Sequence, residues 1–288
     1  MANILFAVFF SSCIIITFRL FSILKIDNLQ AITINYFFAA ILSFYTFNGN
    51  IEWISLASRS WLPWAVINGF LFILVFFVFA RSAQKAGVAI TAVASKMSVI
   101  IPVSIGLLIY GDNMNALKAI GILCAFPAFY LIFSGRENKQ ASSPAHTRYI
   151  WLPVLLFFGT GANDSVMKHA QMYYVGDEYL LFLGTIFAFS LVIGIAAWLF
   201  IFRGPKRLQL KNIIAGTILG IFNYASTMFF LRSLAIFESS VVFPIFNVSV
   251  VSMGALIGLL LFREKLLTKN WIGIVMAVIT ILLIAVAR

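Results

Sequence analysis

Charge is scarce in this sequence, and acid is scarcest. Nine Asp and Glu stand against 20 Lys and Arg, and charged residues fill 10% of 288 positions. A soluble domain ordinarily carries about 25%. So few charges cannot cover the surface of a soluble protein of this size, which excludes a soluble enzyme and a disordered chain. Cysteine is nearly absent as well. Cys13 and Cys124 both lie inside apolar runs, where they read as packing residues, so a disulfide-stapled secreted module is excluded too. Histidine occurs twice, His146 in a polar break and His169 near the end of an apolar run, and no histidine cluster inside a span points to a metal. HExxH, a Walker loop, GxSxG and a pair of intramembrane acids are all missing. ATP is therefore excluded as an energy source held by this chain.

What is present is apolar: 62% hydrophobic residues, 31 of them Phe, and a mean hydropathy of +1.05. A membrane-crossing helix needs about 20 such residues to span roughly 30 Å of hydrocarbon. Read this way, the chain divides into ten runs, near 3–24, 30–47, 61–80, 87–110, 115–134, 150–171, 178–202, 212–231, 238–262 and 269–287. Alternation of period two is absent, which disfavours a β-barrel. The longest break, GRENKQASSPAHTRY from Gly135 to Tyr149, separates two groups of five. The expected division is 1–135 and 150–288 as two five-helix units, with 136–149 as a cytoplasmic linker. Arg19 and Lys25 follow the first run rather than precede it, so that run reads as a retained span and not a signal peptide.

Basic residues are spread unevenly over the breaks. Those after odd-numbered runs hold fourteen, among them Lys25, Arg81, Arg136, Arg148, Arg207, Lys211 and Arg263. The opposite side holds five, Arg59, Lys118, Lys168, Arg232 and Arg288, and Lys96 is left inside a run. The positive-inside rule puts the fourteen in the cytoplasm and both termini outside. The net charge of +11 is thus a topological signal spread over five loops, not a nucleic-acid footprint.

The two groups of five share a pattern. Arg81-Ser82 aligns with Arg232-Ser233 and Gly69 with Gly220 at the same offset. One inserted residue later, Gly106 matches Gly258, Asp112 matches Glu264 and Gly121 matches Gly273, while Arg19 corresponds to Lys168. Five is odd, so two such copies run in opposite senses through a bilayer. Inverted repeats are a recurring architecture of secondary transporters, with the solute site near the midplane.

Ten short helices as five plus five, a small-residue entry to the fourth run (Gly87–Ser95), and an acid after the fourth and ninth runs (Asp112, Glu264) resemble the drug/metabolite transporter superfamily. The tail of each half, an acid followed by a Gly-containing apolar helix around Gly121 and Gly273, is similar to its EamA-like family. The resemblance implies an all-α bundle with a central cavity, lined largely by spans 3, 4, 8 and 9 and working by alternating access. Two features depart from the pattern. Pro102 matches the span-4 proline of such proteins, but Pro244 sits much earlier in span 9. The charge count also places the termini outside, where members commonly have them in the cytoplasm.

Polar side chains deep in the spans are the candidate site. An ionisable group at a helix centre costs about 2.5–3.5 kcal/mol on insertion scales. Lys96 lies ten residues into run 4, in VASKMSVIIP, and Asp164 lies in run 6, in GANDSVMK. Lys96 reads either as a fixed cation for an anionic group, most simply a carboxylate, or as the partner of Asp164 in a structural ion pair. The two could also exchange partners as solute binds. Asn247 falls at nearly the same depth as Ser95 or Lys96, Asn223 and Tyr224 lie mid-span 8, and Asn163 precedes Asp164. Each amide serves equally as a solute ligand or as an interhelical tie. Ser95 and Ser98, about 100° and 200° around the helix from Lys96, join the lining only if the cavity is wide. Pro102 and Pro244 interrupt i to i−4 bonding and mark kinks or gating points. Gly216-x-x-x-Gly220 and Gly254-x-x-x-Gly258 fit helix-contact motifs.

The sequence therefore points to a secondary transporter of a small organic metabolite, carboxylate-bearing and amino-acid-like. It needs no cofactor, and its drive is a proton gradient, a sodium gradient or exchange. The expected partners are the solute and the lipid of a cell membrane, with no nucleic acid; monomer and homodimer stay open. The alternatives are a broad-specificity exporter of hydrophobic or cationic compounds that uses Asp164, and an intramembrane enzyme.

Overall fold

The computed structural model describes residues 1–47, 55–85, 88–133, 149, 151–201, 208–262 and 267–287. Gly87, Glu264 and the linker 136–149, apart from Tyr149, lie outside the described residues. The described residues are mostly α-helical, with short 3₁₀ and π-helical segments and no strand among them. In chain order the helices are α1 (Ala2–Leu24), α2 (Asn28–Tyr45), α3 (Leu62–Lys85), α4 (Val88–Met97), α5 (Ile100–Leu108) and α6 (Ala116–Phe133). There follow α7 (Trp151–Ala170), α8 (Tyr179–Ala196), α9 (Leu210–Ile236), α10 (Ser239–Phe262) and α11 (Thr268–Val286). Among the described residues, stretches long and apolar enough to cross a bilayer are Leu62–Phe79, Trp151–Phe200, Leu210–Ile236 and Ser239–Leu261. Shorter apolar helices cover Ala2–Phe18, Ala94–Leu108, Ala116–Leu131 and Thr268–Ile284.

These helices expose apolar side chains outward: Leu108, Phe200 and Val286 are each at least 75% accessible. In water such a surface would drive aggregation, and in a bilayer it is the solvated face. Their backbone groups are paired within the helices, as hydrocarbon requires.

The chain forms two compact units. One comprises Met1–Ile73 and Val166–Ala235, the other Leu74–Ser165 and Ile236–Arg288. In the first, α2 packs along α8 and against α9. A methyl group added at Gly216 would sit 2.5 Å from the Ala31 carbonyl oxygen, and one at Gly220 2.8 Å from that of Asn35. The Gly216-x-x-x-Gly220 spacing thus brings the α9 and α2 backbones together, the contact its small residues allow. Polar ties follow the same seam. Asn212 donates to Gln30 at 2.7 Å and accepts from the Asp27 N–H at 3.2 Å, and the Asp27 carboxylate caps α2 through the Gln30 N–H.

In the second unit, α6 runs along α11, where Gly121 leaves room for Ile284, and α10 packs against α5, α6 and α11. One end of this unit is fastened by charge. Lys118, 3% exposed, donates to Glu238 and to the Asn113 carbonyl. Asp112 Oδ2 accepts from the Ser240 N–H at 3.0 Å and so satisfies a donor at the α10 N-terminus, where the helix dipole favours a carboxylate. Gly106 makes the space: a methyl there would lie 2.6 Å from Asp112 Oδ2 and 2.9 Å from Ser239 Cβ.

Candidate solute-binding site

Run 4 of the sequence is two helices. α4 ends at Met97, and α5 starts at Ile100. The cause is Pro102, which has no N–H to give the Ser98 carbonyl. That carbonyl accepts instead from Ile101 N–H at 2.9 Å, one residue early, and Val99 N–H reaches back to Lys96 O at 3.4 Å. The Ser98 hydroxyl folds onto the Ser95 carbonyl at 2.6 Å. Pro244 behaves differently, since α10 continues through it.

Lys96 occupies the last turn of α4, the end of a helix that favours a cation. Its Nζ donates to Asn247 Oδ1 at 3.0 Å. Asn247, 7% exposed on α10, holds that oxygen in place by donating its own Nδ2 to the Phe243 carbonyl at 3.0 Å. Both ends of the amide are therefore engaged. Asp164, on α7, acts on Lys96 electrostatically, and its carboxyl is hydrogen-bonded by the side-chain amide of Asn163. Direct ion pairs among the described residues are Arg59–Glu178 and Lys118–Glu238. Lys96 and Asp164 feel each other without forming one, and an amide rather than an acid holds the lysine.

The structure thus brings Lys96, Asn247, Asn163 and Asp164 into one compact unit, together with Ser95, Ser98 and Pro102. Ser98, 1% exposed, spends its hydroxyl on the Ser95 carbonyl. Asn223 and Tyr224 belong to the other unit. There the Asn223 Nδ2 donates to Asn35 Oδ1 at 3.1 Å, and the Tyr224 hydroxyl pairs with Thr46 Oγ1 at 2.6 Å. In this arrangement both residues tie α9 to the α2 segment.

Two further polar groups went unread in the sequence. Thr160 stands three and four residues before Asn163 and Asp164 on α7, a spacing that sets all three on one helix face. Its Oγ1 is buried without a partner, as is Asn163 Oδ1. The Thr-x-x-Asn-Asp spacing was the available signal. The second is Asn35, 3% exposed, which pairs with Asn223 and could be found only from the helix register. No group of three or more His, Cys, Asp or Glu suited to a metal occurs among the described residues.

Comparison with known proteins agrees with this architecture. An uncharacterized protein of Haemophilus influenzae is 25% identical over 284 residues, which cover 96% of this chain and 94% of the relative. A solved structure, described only as the crystal structure of a protein, matches 99% of this chain and 96% of its own with a TM-score of 0.77. At 10% identity that likeness is one of fold alone. The model of the EamA-like transporter family matches residues 147–286. Residues 147–286 are thus similar to a family of small-solute transporters, and together with the apolar helices this supports an integral multi-pass membrane protein.

Proposed function

We propose that the chain is a secondary-active transporter of a small organic solute bearing a carboxylate, amino-acid-like in kind, and that Lys96 recognises that carboxylate. The observation that carries this reading is the partner of Lys96. A lysine ammonium has three donors and no acceptor. One is spent on a neutral amide, Asn247, and among the described residues no carboxylate pairs with the rest. The ammonium is held by a neutral acceptor and has no direct ion-pair partner among the described residues, which leaves donors for an arriving anion. Asn247 is then a positioning residue, and the break at Ser98–Val99 places Lys96 where a span is discontinuous, a feature of midplane sites in transporters.

Around that site we read ten spans as two inverted five-helix repeats, 1–135 and 150–288, joined by a cytoplasmic linker and enclosing a central cavity. The reading rests on the matched markers of the two halves, Arg81-Ser82 with Arg232-Ser233 and Gly106, Asp112 and Gly121 with Gly258, Glu264 and Gly273. Alternating access follows from this arrangement. Cytoplasmic placement of the basic breaks puts both termini outside a cell membrane.

A thermal-shift screen of the purified protein tests the reading, using amino acids, organic acids, vitamins, nucleosides and sugars. Stabilisation by carboxylates that disappears in Lys96→Met is expected. Stabilisation by cations alone, lost in Asp164→Asn and kept in Lys96→Met, would replace it with an exporter of cationic compounds.

A further inference from the structure

Three polar residues on α7 have a use that carboxylate recognition alone does not explain. Thr160, Asn163 and Asp164 share an arc of about 100° on the helix. Glycines flank the arc on either side. A methyl at Gly161 would lie 2.3 Å from Ile101 Cδ1, just past the break between α4 and α5, and one at Gly159 would lie 3.3 Å from Val75 Cγ2 on α3. These small residues let α7 press against α5 and α3, so the polar arc faces packed helices. Thr160 Oγ1 and Asn163 Oδ1 are nevertheless buried without a hydrogen-bond partner. Asn163 has turned its amide nitrogen to the Asp164 carboxyl, which leaves its oxygen unpaired. Beside a carboxylate, these two oxygens present acceptor lone pairs that nothing among the described residues occupies, and buried polar atoms left unpaired carry a full desolvation penalty.

Charge balance says what they accept. Lys96 and Asp164 together are neutral, and each acts on the other. A carboxylate arriving at Lys96 makes the loaded site negative, with Asp164 no longer balanced. An uncompensated charge within a membrane span is disfavoured. A monovalent cation on the α7 oxygens restores neutrality and supplies the partner those oxygens lack.

We propose that Thr160 Oγ1, Asn163 Oδ1 and the Asp164 carboxylate form a monovalent-cation subsite that fills together with the carboxylate site at Lys96. This rests on the reading of Lys96 given above. The shared chemistry is a positive group held by oxygen atoms, either an ammonium carried by the solute or a free sodium ion.

The test measures binding to purified, full-length protein by calorimetry at fixed pH. The probes are an α-amino acid that stabilises the protein and the matching acid without its amine, each in sodium chloride and in N-methylglucamine chloride. If the ammonium fills the subsite, the amino acid binds equally in both salts and the amine-free acid binds weakly in both. If sodium fills it, both solutes bind only in sodium. In either case Asn163→Leu weakens binding about tenfold or more, the loss expected for one hydrogen bond to a charged group, and Thr160→Val weakens it in the same salt. Unchanged melting temperatures in these two variants separate a lost subsite from a damaged fold.

Amine-free acid binding as tightly as the amino acid in N-methylglucamine, with Asn163→Leu unaffected, overturns the subsite and leaves Lys96 recognition intact. The same result with binding kept in Asp164→Asn assigns the balancing charge to a proton on Asp164 and also overturns it. If no carboxylate binds under any condition, the Lys96 reading fails first, and the subsite with it.

Discussion

Replacing Lys96 separates binding from folding, because the two roles call for opposite responses in stability. In Lys96→Met the chain keeps its apolar stem and loses three donors, one of them used on Asn247 at 3.0 Å. In the proposed role, the two remaining donors are those offered to the solute. Hydrogen bonds to charged groups contribute about 1.5–3 kcal/mol each. Losing two costs about 3–6 kcal/mol, a drop in affinity of roughly 100-fold to 10,000-fold.

Stability has a different dependence. Lys96→Met alone leaves Asp164 with only the Asn163 amide, and a buried charge deprived of its counterion is destabilising. The double variant Lys96→Met/Asp164→Asn removes both charges. Exchanging buried ions for groups of similar volume is neutral or stabilising by about 1–4 kcal/mol. The expected series is therefore a lowered melting temperature in the single variant, recovery to wild type or above in the double, and no transport in either. Fluorescence-detected thermal unfolding gives the first two quantities, and proteoliposome uptake gives the third. Wild-type uptake of a carboxylate by either variant would refute the recognition role. A double variant less stable than Lys96→Met would show that the charges hold the helices together.

Other consequences follow from the packing. Gly216→Ala should lower stability by about 1–3 kcal/mol, read as a melting-temperature drop: Ala suits a helix better than Gly by about 1 kcal/mol, but its methyl meets the Ala31 carbonyl at 2.5 Å, and a backbone atom cannot yield. Asp112→Ala should cost about 1 kcal/mol by uncapping α10, with Asp112→Asn milder, because an amide oxygen still accepts from the Ser240 N–H. Burial pushes the Glu238 carboxyl up, but the hydrogen bond and charge of Lys118, with the Asn113 and Ser240 contacts, outweigh it and hold the pKa below the ordinary 4.5. A depressed folded pKa gives stability that is present above 4.5 and lost as pH falls through the lowered value. The melting-temperature gap between wild type and Glu238→Gln should thus be constant above about pH 5 and close below it. A single cysteine near Arg59 should react with an impermeant thiol reagent from outside intact cells, and one near Arg207 should not; the reverse pattern would invert the topology.

Features that depend on one stretch of chain were legible in the sequence. Lys96 was visible because a charge ten residues into an apolar run has no interface within reach. Pro102 marked a kink, but run 4 was read as one span, and Pro244, marked in the same way, leaves α10 unbroken. The pairing of Lys96 with Asn247 was half legible: depth put both in one layer, but choosing an amide over Asp164 depends on side-chain geometry across helices. Asn223 shows the limit. Mid-span amides serve solutes and neighbouring helices equally well, and only the register of α2 against α9, set by Gly216 and Gly220, assigns it to Asn35. Gly106 and Asp112 were read as repeat markers. That one makes room for the other at the α10 N-terminus is a three-dimensional fact with no periodic signature.

The choice of an amide as the partner of Lys96 also bears on how the site can cycle. A lysine locked to a carboxylate would have to break an ion pair in low dielectric before taking a solute, an expensive step on the way to binding. A lysine on Asn247 gives up at most one neutral acceptor, and the Phe243 carbonyl keeps that amide in place afterwards. Asp164 then sets the field at Lys96 without blocking it. Asn247→Asp converts one arrangement into the other by exchanging the amide for a carboxylate of nearly the same shape. It should sharply reduce carboxylate binding without raising the melting temperature of the empty protein, since two carboxylates then share one lysine and the Phe243 carbonyl loses its donor. Asn247→Leu should reduce both stability and binding, because Lys96 then loses the acceptor that orients it. An Asn247→Asp protein that still bound carboxylates at wild-type affinity would mean that the free charge of Lys96 is not what the solute meets.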